Sequence, residues 1–208
     1  MLRSKFDTEW FSVKLGLVFS RLGISPNTWT VMALVPALLG FVALGVYQKI
    51  PEALVLFILS GFLDAVDGAV ARVTSRVSAL GAFLDGIIDR YVEMLLYFAL
   101  LFFLSGRTEE LWLPNYFWVA LLIFGSMMPT YIRAYADHRK VVTESADLRR
   151  MGGLLERAER LTLIYLGLFL GMYNNVLFLV YVVAATAVLA NFTALQRLWF
   201  VVSYARGR

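Results

Sequence analysis

The sequence predicts an all-α, polytopic membrane protein with six transmembrane helices preceded by an amphipathic helix in the membrane interface. Three observations carry that prediction. First, the 208-residue chain is 60% hydrophobic and its mean hydropathy is +0.72. A soluble domain is about half apolar, so the bilayer is the natural solvent for the excess. Second, the apolar residues gather into six runs, each long enough at 1.5 Å per residue for a hydrocarbon core of ~30 Å. Third, the basic residues are asymmetric. Of 19 lysines and arginines, only Lys49 and Arg107 fall in the loops of one side. The net charge of +4 then reads as basic loops facing anionic headgroups, with no nucleic-acid partner. The absence of cysteine excludes disulfides and thiolate chemistry.

Taken in order, residues 1–24 read as an amino-terminal interfacial segment, with a helix over 2–22. Phe6, Trp10, Val13, Leu17 and Phe19 share one broad face, whereas Lys5, Asp7, Glu9 and Lys14 fall largely elsewhere. The stretch has no compact apolar centre followed by small residues, so no cleavable signal peptide is expected. Residues 25–208 read as one six-helix transmembrane domain. Ser25 caps its first helix and Pro26 takes the first helical position. Spans are expected at 26–46, 51–73, 78–104, 112–136, 154–172 and 176–202. Pro51 and Pro114 stand near helix starts, and Gly106 and Asn174-Asn175 at breaks. Pro36 and Pro129 fall inside spans, where kinks are expected. Trp112, Trp118 and Trp199 are expected to face lipid or the interface. The positive-inside rule places both termini and the loops near 75 and 145 in the cytoplasm, as an even number of spans requires.

Four carboxylates interrupt this apolar pattern. Asp64, Asp67, Asp85 and Asp89 all lie within spans, where each costs a few kcal/mol unless a cation or a water-filled cavity compensates. Asp64 and Asp67 are spaced i, i+3 and Asp85 and Asp89 i, i+4, so each pair shares one helix face. Counting along the helices puts Asp64 roughly 20 Å from the outer surface and Asp85 roughly 10 Å from the cytoplasmic one, so two antiparallel neighbours present four carboxylates at similar depth. An all-oxygen donor set without His or Cys suits hard cations such as Mg²⁺, Mn²⁺ or Ca²⁺. Gly61, Gly68, Gly81 and Gly86 stand among the carboxylates, where glycine serves close helix packing or the close approach of a ligand. Gly68 directly follows Asp67, which favours the ligand. Arg72, one turn further, either snorkels or holds a phosphate, and a neighbouring metal site favours phosphate. Glu93 either supports the site from one turn beyond Asp89 or pairs with Arg90.

Read together, these residues resemble the CDP-alcohol phosphotransferases. Asp64-Ala-Val-Asp67-Gly68-Ala-Val-Ala71-Arg72, eight further residues, then Gly81-Ala-Phe-Leu-Asp85-Gly-Ile-Ile-Asp89 fill all eight fixed positions of that family's pattern. The Ser-Pro-Asn start of the first span and the six-span layout are similar too. The resemblance implies a reaction in which an acceptor hydroxyl attacks the β-phosphorus of a CDP-alcohol and CMP leaves. It implies that Asp64, Asp67, Asp85 and Asp89 hold one or two divalent ions, Mg²⁺ or Mn²⁺, and that Asp89 is the catalytic base. It further implies that Gly68, Arg72 and Ser78, with Asn27 and Thr30, contact the CDP moiety, and that the protein is a homodimer.

The second half resembles the inositol-phosphate branch of that family. Thr130-Tyr-Ile-Arg133 ends the fourth span, Gly152-Gly-Leu-Leu-Glu156-Arg157-Ala-Glu159-Arg160 opens the fifth, and Gln196-Arg197 closes the sixth. The branch implies an acceptor such as inositol 1-phosphate, with Thr130, Arg133, Arg157 and Arg197 as contacts for its phosphate. Arg160 stands beside them. Bacterial members carry Ser and Lys where this chain has Thr130 and Arg133, an exchange that keeps a hydroxyl and a positive charge.

The function expected is therefore transfer of a phosphate-linked lipid from CDP-diacylglycerol or CDP-archaeol to inositol 1-phosphate. CDP-inositol as donor is the alternative within the family, followed by a glycerol-phosphate or serine acceptor. A cation transporter is the alternative from another class, since buried aspartates also mark ion pathways. Against it, the carboxylates cluster toward one membrane face, and no two halves carry matching broken helices.

Overall fold

The computed structural model describes residues 8–173 and 175–207. Lys5, Phe6 and Asp7 of the expected interfacial helix, and Asn174 of the expected break, lie outside them. All regular structure among the described residues is helical. Nine α-helices run in order: α1 Thr8–Ser20, α2 Pro26–Met32, α3 Leu34–Phe41, α4 Ile50–Val73, α5 Ala79–Ser105, α6 Asn115–His138, α7 Ser145–Arg150, α8 Arg157–Tyr173 and α9 Val176–Arg206, with a π-helical turn over Val42–Val46 after α3. The chain forms two compact units, Met1–Ala99 and Leu100–Arg208.

Local chemistry sets the helix ends. The Ser25 Oγ accepts from the Thr28 amide at 3.2 Å with Pro26 at the first helical position, as expected for this motif. Asn175 caps α9 by accepting from the Leu177 amide at 2.9 Å. Pro36 cannot donate to the carbonyl four residues back, and the helix is broken between α2 and α3 at Ala33. The hydroxyl of Ser60, on α4, donates to the Ala33 carbonyl at 2.8 Å, which ties the break to α4.

Among the described residues, four helical stretches are long and apolar enough to cross a membrane: Pro26–Val46, Ile50–Val73, Asn115–His138 and Val176–Arg206. The two other expected spans are helical over most of their expected length, α8 only from Arg157 where 154 was expected, and charge and length set them apart. α5 has 27 residues and carries Asp85, Asp89 and Arg90 in its amino-terminal half, with Glu93 near its middle. α8 has only 17 and begins with Arg157, Glu159 and Arg160. Many apolar side chains on the long helices point outward, among them Leu38, Leu39, Val55, Ile58, Phe192 and Leu195, as a protein solvated by lipid requires.

In the first unit, α4 is the central element, with α1, α2 and α3 packed along it. Trp29, Val66 and Val70 form a buried cluster completed by Leu15, Phe19, Ile24 and Leu63. α1 is thus seated on α4 through Leu15 and Phe19, while Trp10, Val13 and Leu17 face outward.

In the second unit α9 packs along α6 and α8. Gly125 lets α6 approach α9 at Asn191, whose amide donates to the carbonyls of Leu121 and Ala187, both at 2.9 Å. A Cβ at Gly125 would collide with that amide. Gly125→Val is therefore expected to lower stability by about 1–3 kcal/mol through overpacking, read as a drop in melting temperature in detergent.

Trp118 corrects an expectation. It is 5% exposed, whereas Trp112 and Trp199 are 82% and 73% exposed. Its ring sits edge-on to Trp112 and Phe117, with centroids 5.4 and 5.6 Å away. Trp118 is a core residue because aromatic edges, not lipid, surround it.

Candidate active site

The first unit brings the motif residues together. One carboxylate oxygen from each of Asp64, Asp67 and Asp85 lies within 4.8 Å of the others. That separation is about twice a metal–oxygen distance of roughly 2.0–2.6 Å, so one hard cation can be reached by all three. Asp89, one turn beyond Asp85 on α5, is not one of this closest group.

Asp67 carries the sharpest signal. It is 6% exposed and interacts with the Thr30 hydroxyl and the Gly68 backbone, yet its Oδ2 is buried with no hydrogen-bond partner among the described residues. A buried carboxylate oxygen left without a partner costs several kcal/mol. A cation held between three carboxylates removes that cost, so the donor set fits a divalent metal.

Beside the carboxylates lies a cleft of about 420 Å³, within the range of ligand sites. Its lining includes Asn27, Thr30, Asp67, Gly68, Arg72, Ser78 and Asp85. Three elements and one turn meet there: the start of α2, the end of α4, the turn after it, and the start of α5. The Ser78 hydroxyl accepts from the Gly81 amide at 3.0 Å, which caps α5. A Cβ at Gly81 would stand 3.1 Å from Ser78 Oγ and 3.2 Å from Asn27 Oδ1, so glycine leaves both polar groups their places. At Gly68 a Cβ would meet only the Arg72 guanidinium, at 3.4 Å, leaving backbone accessible in the cleft. Gly61 and Gly86 differ: a Cβ there would meet nothing within 4 Å among the described residues.

Sequence reasoning passed over Arg76. It follows α4 in the turn where Ser75 adopts a φ of 53°, and it lines the same cleft. The signal was its spacing four residues after Arg72. Glu93 is buried and pairs with Arg90 at 3.0 Å.

In the second unit, Arg197 on α9 donates from Nη1 to the Pro129 carbonyl at 2.8 Å and lies within electrostatic reach of Arg133, Arg160 and Glu156. Arg197 on α9 thus has cations from α6 and α8 and one carboxylate around it, an excess of positive charge suited to an anion. Arg160 is buried, at 3% exposure, and Thr130 lies on α6 one turn before Arg133. The loop before α8 is tied to α9: the amides of Leu154 and Leu155 donate to Gln196 Oε1 at 2.8 Å and Thr193 Oγ1 at 2.9 Å. Gly153 abuts Thr193 so closely that a side chain there would collide. That seat sets the start of α8, where Arg157 stands.

Comparisons with known proteins bear on what these sites do. The chain matches the model of the CDP-alcohol phosphatidyltransferase family over residues 23–190. It is 36% identical over 206 residues to an archaetidylinositol phosphate synthase of Aeropyrum pernix, covering 99% of this chain and 96% of that protein. It is 34% identical over 183 residues to a bifunctional IPC transferase and DIPP synthase of Thermococcus kodakarensis, covering 86% of this chain and 39% of that one. Its fold is similar to the crystal structure of Mycobacterium tuberculosis phosphatidylinositol phosphate synthase in complex with manganese and citrate. The TM-score there is 0.78 at 23% identity, covering 92% of this chain and 89% of that one.

Proposed function

This chain belongs to the CDP-alcohol phosphatidyltransferase family, and on that premise we propose that it transfers the phosphate-linked lipid of a CDP-lipid to the hydroxyl of inositol 1-phosphate, releasing CMP. It is a membrane-bound, divalent-metal-dependent transferase of phospholipid synthesis. The observation that carries the reading is the meeting of an all-oxygen carboxylate group with a cleft lined by Asn27, Gly68, Arg72 and Ser78. The likeness over nearly the whole length of the Aeropyrum synthase supports the inositol phosphate acceptor and CDP-archaeol as donor.

In this reading Asn27, Thr30, Gly68 and Ser78 bind the CDP moiety, and Arg72 grips its phosphates. Asp64, Asp67 and Asp85 with Asp89 would hold a divalent cation, Mg²⁺ or Mn²⁺, which would supply neutralisation of the charge that builds on the phosphate oxygens. Thr130, Arg133, Arg157 and Arg197 bind the acceptor's own phosphate. Asp89 takes the proton of the attacking hydroxyl. The new oxygen–phosphorus bond forms at the β-phosphorus as the bond to CMP breaks, and CMP carries away the electron pair. Residues 25–208 form a six-crossing catalytic domain with 1–24 as interfacial segment. Both termini and the active site face the cytoplasm, and the working unit is a homodimer.

A second reading has an observation of its own, the likeness to the Thermococcus bifunctional protein. It keeps the chemistry and replaces the lipid donor with CDP-inositol. CMP release by purified protein in detergent with Mg²⁺ separates the two. CDP-archaeol, CDP-diacylglycerol and CDP-inositol are each paired with inositol 1-phosphate, free inositol, glycerol 3-phosphate or serine, with Asp89→Asn as control. The proposal expects release from a CDP-lipid with inositol 1-phosphate, lost in the variant. Release from CDP-inositol alone supports the second reading. Release with glycerol 3-phosphate or serine keeps the family and removes the assignment of the arginines.

A further inference from the structure

We infer that Ser12, on the amino-terminal helix α1, is a positioning residue of the donor site that holds the Arg72 guanidinium over the cleft. The inference rests on the reading of Arg72 as a donor-phosphate contact. α1 precedes residue 23, where the match to the family begins, so this contact comes from a part of the chain the family pattern does not describe.

Arg72 Nη2 donates to Ser12 Oγ at 2.7 Å. The guanidinium lies over Gly68, with Nη1 3.4 Å and Nη2 3.8 Å from where a Cβ would stand there. One N–H of the guanidinium is therefore held by α1 while the group covers the backbone of Gly68. Arg72 is exposed at the cleft, and an exposed arginine otherwise spreads over many rotamers. Its five N–H donors leave ample capacity for phosphate oxygens once Ser12 has taken one.

The contact depends on how α1 is seated. Gly16, one turn after Ser12 and on the same face, is buried against α4. A Cβ there would stand 2.5 Å from the Ala69 carbonyl oxygen and 2.6 Å from Val73 Cγ2, so only glycine allows the approach. Phe19 completes the seat, edge-on to Trp29 at 5.5 Å and to Phe62 at 5.8 Å. A helix fixed on both sides of Arg72's position along α4 delivers a hydroxyl to the guanidinium. The amino-terminal helix is thus part of the donor site as well as of the fold.

The test measures kcat and the apparent KM for CDP-archaeol and CDP-diacylglycerol, with Mg²⁺ and saturating inositol 1-phosphate, for wild type, Ser12→Ala, Ser12→Val, Ser12→Thr and Arg72→Ala. Loss of one hydrogen bond to a charged group without loss of the fold raises donor KM about 3–10-fold in Ser12→Ala and Ser12→Val, with kcat within about twofold. Ser12→Thr restores the wild-type value because it restores the hydroxyl. A raised donor KM in Arg72→Ala with none in Ser12→Ala or Ser12→Val overturns the positioning role and leaves Arg72's assignment standing. An unchanged donor KM in Arg72→Ala overturns that assignment instead. Equal losses in all three Ser12 variants, threonine included, mark a packing role for α1 and overturn the inference.

Discussion

Asp67→Asn is expected to slow CMP release by about 10³-fold while leaving the protein folded, since a metal's stabilisation of a phosphoryl transition state is worth several kcal/mol and each 1.36 kcal/mol is tenfold. The substitution preserves shape and the contacts with Thr30 and Gly68. What it changes is Oδ2, the buried oxygen without a hydrogen-bond partner among the described residues. Either placement of the amide group removes the charge that a cation shared with Asp64 and Asp85 needs, and one placement aims N–H donors at it. Two measurements check this: turnover with Mg²⁺, and Mn²⁺ binding followed by electron paramagnetic resonance. Both are expected to fall together, with the melting temperature of the metal-free protein unchanged or raised, because a buried charge has been removed. Near wild-type turnover in Asp67→Asn would remove the carboxylate group from the chemistry.

Arg197→Ala is expected to raise the KM for inositol 1-phosphate by about 10–100-fold with little change in donor KM, the size of a lost hydrogen bond between charged partners. Arg197 is fixed before any acceptor arrives, since Nη1 already donates to the Pro129 carbonyl. Its neighbours Arg133 and Arg160 add like charge that an anion would relieve. Arg197→Lys keeps the charge and loses the planar fork, and is expected to fall between the two. Steady-state kinetics with the acceptor varied at saturating donor reads both. A change confined to donor KM would take Arg197 out of the acceptor site.

Much of this was legible in the sequence, for reasons that can be named. The helices fall where apolar runs are punctuated by Ser25-Pro26, Pro51, Gly106 and Pro114, because capping and proline sterics act locally. The carboxylate group was legible because the i, i+3 spacing of Asp64 and Asp67 forces them onto one helix face, and because these two and Asp85 interrupt apolar spans where charge is otherwise excluded. Asn27, Thr30, Gly68, Arg72 and Ser78, named through the family pattern, line one cleft.

What escaped the sequence depends on direction around a helix. Where a helix is apolar on every side, periodicity does not tell a core face from a lipid face, so Trp118 read like Trp112 and Trp199 and proved buried. The role of Gly16 is likewise invisible in sequence, because the carbonyl that excludes a side chain there belongs to Ala69 on another helix. Arg76 was passed over because its turn, with Ser75 in the left-handed region, returns it to the cleft only in three dimensions. Glu93 was ambiguous in sequence because Arg90 and Asp89 are both within one helical turn of it, and the pair it forms is with Arg90.

The most direct measurement of the central claim is the mass of the lipid product formed from CDP-archaeol and inositol 1-phosphate by the purified protein with Mg²⁺. The reading developed above expects one new lipid that carries both the phosphodiester from the donor and the phosphomonoester of the acceptor, formed mole for mole with CMP. A lipid lacking the phosphomonoester, or CMP released with only water as acceptor, would contradict it.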